Sequence, residues 1–287
     1  MSKRNFTLLS FALCALACLG WGCGKPASAP SVQVTGPKPL AVAGLTPHEL
    51  AQKINLTKGS VLVMQQTFTG EGVKAAAELK LGVTGSERDI VIRRFAPGHS
   101  AEVEWKNTYK DGAGKEQQYT GALLGIDLQK AHEFYLPALW KGDNQNALGL
   151  SGIWLSADTF EDLSRSKLGT LYFGMQNQTA LDMVSTSTAF REAEQSLKSA
   201  VENALKNHTD VFLTKTDSAL GEWPLKINGV ETKVEVLKAR SWFGEVTVLN
   251  NPQNPLVLKL KMNDLPAAKI FNGLYDYEIT ELRDLQE

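Results

Sequence analysis

The sequence predicts a mainly β (α+β) domain. Antiparallel strands form a curved or sandwich-like sheet, with one long packing helix over 187–207 and short helices near 47–55 and 157–164. Three observations predict this. Short runs alternate between apolar and charged residues, as in Ala101–Tyr109, where Val103, Trp105 and Tyr109 take one face and Glu102, Glu104 and Lys106 the other. Turn residues separate these runs, Asn228-Gly229 being the strongest hairpin signal. A helical apolar period is sustained over one long stretch, where Phe190, Ala193, Leu197, Ala200 or Val201, and Ala204 or Leu205 fall on a single stripe.

The chain opens on Met1-Ser2-Lys3-Arg4, a short cationic start. Phe6–Gly20 is an apolar run broken by Thr7 and Ser10, shorter than the roughly 20 residues of a membrane span. Leu19-Gly20-Trp21-Gly22-Cys23 follows, and then Gly24-Lys25-Pro26-Ala27-Ser28-Ala29-Pro30. This order resembles a bacterial lipoprotein signal peptide: charged region, apolar region, small residues, then the cysteine that is acylated after cleavage. The resemblance implies export, removal of residues 1–22, and a membrane anchor on Cys23. The pattern departs from the usual one at Gly20, where Leu is expected, and at Trp21. Cys18, preceded by Ala15-Leu16-Ala17, is the alternative lipidation residue. Cys23 is preferred because the composition switches directly after it. Cleavage before Cys18 would also leave a free thiol at Cys23 in an oxidising compartment. Gly24 replaces the Asp that marks inner-membrane retention in enterobacteria-like sorting, so the outer membrane is the expected location.

All three cysteines lie at or before position 23, so the mature domain is expected to hold no disulfide and no thiolate chemistry. Without Lys3 and Arg4 the chain carries 28 basic against 31 acidic residues, a net charge of −3. A weakly acidic chain with no basic cluster excludes nucleic acid as the expected partner. Residues 23–44 hold Pro26, Pro30, Pro37 and Pro39 among Gly, Ala, Ser and Val, and read as a flexible tether. One β-rich domain, 45–287, is expected beyond it, large enough to bury a core without cross-links.

The domain begins with a helix signal. Thr46 caps, Pro47 fits the first helical position, Glu49 completes a capping box, and Leu45 with Leu50 forms a staple. Strands are then expected at Val61–Phe68, Ala75–Val83, Asp89–Phe95, Ala101–Tyr109 and Glu116–Leu124. Asp127–Glu133 reads as a helical turn, Leu136–Trp140 as a buried plug, and Gly142–Asn146 as an exposed turn. Ile153–Leu155 reads as a strand, after which Ser156 caps a helix and Leu168–Met175 returns as a strand. Beyond the long helix come Val211–Thr216, Trp223–Ile227, Val230–Ala239, Phe243–Leu249, Pro255–Lys261 and Tyr275–Leu282. Asn250-Asn251-Pro252-Gln253-Asn254 is expected to be a loop in which Pro252 blocks ladder pairing. The stretches Ile153–Ser156, Pro224–Gly229, Asn254–Leu258 and Tyr277–Thr280 resemble uncharacterised bacterial envelope proteins, a likeness that implies no activity.

Catalytic patterns are fragmentary. Gly98-His99-Ser100 is no nucleophile elbow. Ser164-Arg165-Ser166-Lys167 satisfies S-x-x-K without its companion motifs, and Asp217-Ser218-Ala219 lacks the Gly of an aspartic peptidase. His48, His99, His132 and His208 are isolated, and Asp143–Asn146 lacks the spacing of a calcium loop. The tryptophans Trp105, Trp140, Trp154, Trp223 and Trp242 read as core and rim residues. No catalytic, cofactor or metal residue is therefore assigned. A lipid-anchored envelope protein is expected, with a non-catalytic binding or scaffold domain for a lipid or another envelope protein. The alternative is an envelope-polymer hydrolase whose carboxylates and histidine come from distant strands.

Overall fold

A computed structural model of the protein describes residues 38–66, 87–110, 115–135, 144–166, 168–174, 210–240, 244–262 and 276–287. All of them lie in one compact unit, Pro37–Glu287. Residues 38–44, which composition places in the tether, are among the described residues. Pro39 bridges to Gln286 and Leu40 is buried.

α1 (Pro47–Lys53) forms where its cap directs. Glu49 N donates to Thr46 Oγ1 at 3.2 Å, and Thr46 N donates to Glu49 Oε2 at 2.9 Å, which satisfies two donors that a helix start leaves orphaned. Leu50 and Ala51 are buried, and Leu45 packs against the core. α2 (Ala157–Ser166) is capped by Ser156, whose Oγ accepts from Thr159 N at 3.3 Å.

Twelve strands are described: β1 (Val61–Gln66), β2 (Glu87–Ala96), β3 (Ser100–Lys110), β4 (Glu116–Asp127), β5 (Glu133–Tyr135), β6 (Asn144–Asn146), β7 (Leu168–Gly174), β8 (Asp210–Ile227), β9 (Val230–Arg240), β10 (Gly244–Leu249), β11 (Val257–Met262) and β12 (Tyr277–Arg283). They make one sheet in the order β5-β7-β8-β9-β10-β11-β12-β1-β2-β3-β4-β6. The sheet closes on itself. β12 pairs with β8 in parallel (Glu281 with Lys226, Leu282 with Ile227), so β8 to β12 form a small five-stranded barrel. The other limb also returns. Past β6 the chain donates from Ser151 N to Glu133 O (2.7 Å) and accepts at Gly152 O from Tyr135 N (3.2 Å), joining the β4 side to β5. Closure matters because an open strand edge invites pairing with other chains.

Alternation decides which face is dry. Leu62, Ile90, Trp105 and Leu282 are level across β1, β2, β3 and β12, and all are buried. Gly121 lies opposite Trp105. The outer face carries cross-strand ion pairs such as Arg94–Glu102 at 2.7 Å. Phe134 of β5 stacks on Tyr277 of β12 with ring centroids 6.3 Å apart, and Phe95 meets Trp154 at 6.0 Å. Side chains of the two limbs therefore fill one shared core.

Four local expectations are corrected. Asn144–Asn146 is not a turn: it pairs in parallel with Ala122–Leu124. Ile153–Leu155 is not a strand: it is buried irregular chain with a single bridge, Trp154 to Leu256. Asp127–Glu133 holds no helical turn. Asp127 Oδ1 there accepts from Gln129 N (2.8 Å) and Lys130 N (3.1 Å), a side-chain turn instead. Val211–Thr216 and Trp223–Ile227 are parts of one strand, β8, whose pairing with β9 slips between Lys215 and Leu220. The mainly β class holds and both short helices are present. The expected 187–207 helix, the Ala75–Val83 strand, the 136–140 plug and the lipidation cysteines Cys23 and Cys18 lie outside the described residues.

Candidate functional site

The described histidines are held by separate elements. His99 sits in the β2–β3 turn, where its carbonyl accepts from Leu128 N at 3.0 Å. His132 Nδ1 bonds Thr159 Oγ1 at 3.1 Å, and Ser156 Oγ donates to the same hydroxyl at 3.0 Å. That chain of hydroxyls is buried and fastens α2 to the β4–β5 connection. His208 lies outside the described residues.

His48 is different, because the fold gives it a carboxylate. α1 lies against β9, and His48 Nδ1 meets Glu235 Oε2 at 2.7 Å. Asn250 Nδ2 donates to the same oxygen at 2.5 Å, and Gln52 Nε2 donates to the Asn250 carbonyl. Glu235 is pulled two ways. Burial works to raise its pKa, but the hydrogen bonds from His48 and Asn250 outweigh burial and hold it below the usual carboxylate value. The group joins α1, β9 and the β10–β11 loop across 187 residues of sequence. The sequence leaves His48 isolated from the other histidines, and no local signal points to Glu235. Chemically the pair is an oriented imidazole whose side chain is 60% exposed. It lies on the surface, where the contacts of the pair are the Glu235 carboxylate itself and the Asn250 amide behind it.

A concave region lies beside the Pro39–Gln286 bridge. A shallow pocket of about 510 Å³ is lined by Pro39, Asn228, Gly229, Glu281, Arg283 and the segment 284–286. Its charges are largely spent on one another. Arg283 Nε donates to Glu281 at 2.9 Å, and Arg283 also faces Asp89 at 3.6 Å.

The remaining sequence candidates are placed in ordinary structure. Ser164 and Arg165 lie on α2, with Arg165 paired to Glu161 one turn away. Asp217–Ala219 falls in the irregular part of β8. Trp105 and Trp154 are fully buried core residues, and Trp223 is a partly buried one with the Lys259 ammonium 5.1 Å above its ring. Trp140 and Trp242 lie outside the described residues. Among the described residues no group of three His, Cys, Asp or Glu is placed to hold a metal ion, and no helix is long and apolar enough to cross a membrane.

No family model, no curated protein and no solved structure matches this chain. The functional reading therefore rests on the residues and their geometry.

Proposed function

We propose that this is an exported, lipid-anchored protein of the cell envelope, held at the outer membrane through Cys23. Its β-domain works as a non-catalytic binding or scaffold module for a lipid or another envelope protein, with 187–207 as its packing helix. The observation that carries this reading is the order at the start of the chain: cationic residues, a 15-residue apolar run, Cys23, and an immediate switch to Pro, Ala and Ser. Fourteen residues, 24–37, lie between Cys23 and Lys38, the first described residue. As a flexible coil they would span about 20 Å, and stretched as polyproline II about 45 Å. The domain would thus stand clear of the bilayer and work on something outside it.

Native mass spectrometry of the mature domain, purified without detergent, tests the binding module. A reproducible added mass in the lipid range makes it a lipid carrier. A bare polypeptide mass removes the carrier version and leaves a protein-binding scaffold.

The His48–Glu235 pair favours a second reading, the envelope-polymer hydrolase, since an oriented imidazole is what such chemistry requires. Incubation with purified cell-wall polymer separates the two. Soluble fragments that vanish in His48→Ala would support the hydrolase; no release supports the binding module.

A further inference from the structure

The barrel's parallel seam is a short one. β8 and β12 share two residue pairs, Glu281 with Lys226 and Leu282 with Ile227. Beyond them the hairpin tip takes over. Asn228 N donates to Leu282 O at 2.9 Å, Asn228 Nδ2 to Leu285 O at 3.0 Å, and Leu285 N to Asn228 Oδ1 at 3.0 Å. Asn228 is held at φ 48°, a conformation Asn tolerates better than most residues, and its amide imitates a strand neighbour for Leu285.

The same Leu285 carbonyl accepts a second hydrogen bond, from Leu40 N at 2.9 Å. Leu40 lies two residues after Lys38, the first described residue. Its side chain is 6% exposed within the core, and Glu287 N donates to Lys38 O at 2.9 Å to complete the pairing. The Lys38–Glu287 ion pair is largely exposed and adds little. One carbonyl therefore joins the first residues of the fold to the seam. The shallow pocket of about 510 Å³ lies over this junction, between Pro39, Asn228 and Leu285.

We propose that Lys38–Leu40 is a strap that locks the barrel seam, and that pull on the tether peels the strap away, loosens β12 from β8 and opens the pocket. Bonds sharing one acceptor site order it jointly, and a pairing held by few backbone hydrogen bonds is where local opening costs least. The source of the pull rests on the tethered reading above. The coupling between strap and seam does not.

Hydrogen exchange on the full mature chain tests the coupling. Leu40→Asp disfavours burial of the strap, and Leu40→Pro removes its N–H while keeping an apolar side chain. Either change is expected to speed exchange at the Asn228 and Leu285 amides by about tenfold or more, with Val61–Gln66 on the far edge of β12 unchanged. Coupling is reciprocal, so Asn228→Ala must in turn speed exchange at Leu40 and Glu287. The proposal is overturned if Asn228→Ala leaves those strap amides at their original rate. It is also overturned if the strap is released, seen as fast exchange at Glu287, while Asn228 stays protected. If the Leu40 variants exchange throughout, the Asn228→Ala result decides. Failure of the tethered reading would show as an unacylated Cys23, with the exchange pattern untouched.

Discussion

Asn254 is the residue whose loss the fold should tolerate least for its size. It is fully buried in the β10–β11 loop. Its Oδ1 accepts the Trp154 indole N–H at 2.9 Å, and its Nδ2 donates to the Ile54 carbonyl at 3.2 Å. The Ile54 carbonyl keeps a second donor in the Asn254→Ala variant, Asn251 Nδ2 at 3.1 Å. The Trp154 N–H loses the one acceptor that its buried side chain is seen to have. An orphaned buried donor costs about 1–3 kcal/mol, and the lost bond to Ile54 adds about 1 kcal/mol or less. Asn254→Ala is therefore expected to destabilise the domain by about 1–4 kcal/mol. Urea unfolding followed by tryptophan fluorescence measures this as a lower midpoint with an unchanged slope. Trp154→Phe removes the donor, so the double variant should be about 1 kcal/mol less destabilised than the sum of the singles. A destabilisation within about 0.5 kcal/mol of zero, the range of an ordinary surface change, would refute the reasoning. Additivity of the two substitutions would refute it as well.

Two further expectations concern packing and acid. A Cβ at Gly169 would lie 2.8 Å from Leu163 Cγ and 3.3 Å from the Thr159 carbonyl, whereas one at Gly221 would meet the flexible Lys238 Cε at 3.5 Å. Gly169→Ala should therefore cost about 1–3 kcal/mol in chemical unfolding, and Gly221→Ala should not show that overpacking cost. Glu49, Glu235 and Glu287 all sit below the usual carboxylate value. For Glu49 the cause is the Thr46 backbone and then its hydroxyl; for Glu235 it is His48 and Asn250 against burial; for Glu287 it is Lys38 against burial. A depressed folded pKa gives stability that is present above the unfolded value of 4.5 and lost as pH falls through the folded value. The unfolding midpoint should thus drop on acidification below that value, and drop less steeply in Glu235→Gln. A midpoint that rises on acidification would contradict the assignment.

What could be read from the sequence was local. The Thr46–Glu49 cap and the Asn228-Gly229 turn follow from a few neighbouring residues, and both are observed, the turn with φ 48° and 83°. The Ala101–Tyr109 alternation sorted Val103 and Trp105 into the core and Glu104 and Lys106 out of it. Non-local pairing was not legible. Asn144–Asn146 has no apolar alternation because its place is set by the Ala122–Leu124 ladder rather than by a buried face. Ile153–Leu155 is apolar throughout because it is enclosed on every side, with the turn at Gly152 (φ 63°) leading it inward. The 250–254 loop read as a simple interruption at Pro252. Its asparagines instead dock α1: Asn251 Nδ2 donates to the carbonyls of Ala51 (2.9 Å) and Ile54 (3.1 Å). The partners of Asn251 and Glu235 lie about two hundred residues away, beyond any periodicity or spacing rule.

The anchor is the part of the account that most needs a direct measurement, and the mass of the mature N-terminal peptide provides it. The chain would be expressed with its leader in a bacterial host, extracted from membranes and digested. The account predicts a peptide beginning at Cys23 and carrying diacylglyceryl and acyl mass, with Cys23→Ser released from the membrane fraction. An unmodified Cys23 in the mature chain, or a mature chain that begins at another residue, would contradict it.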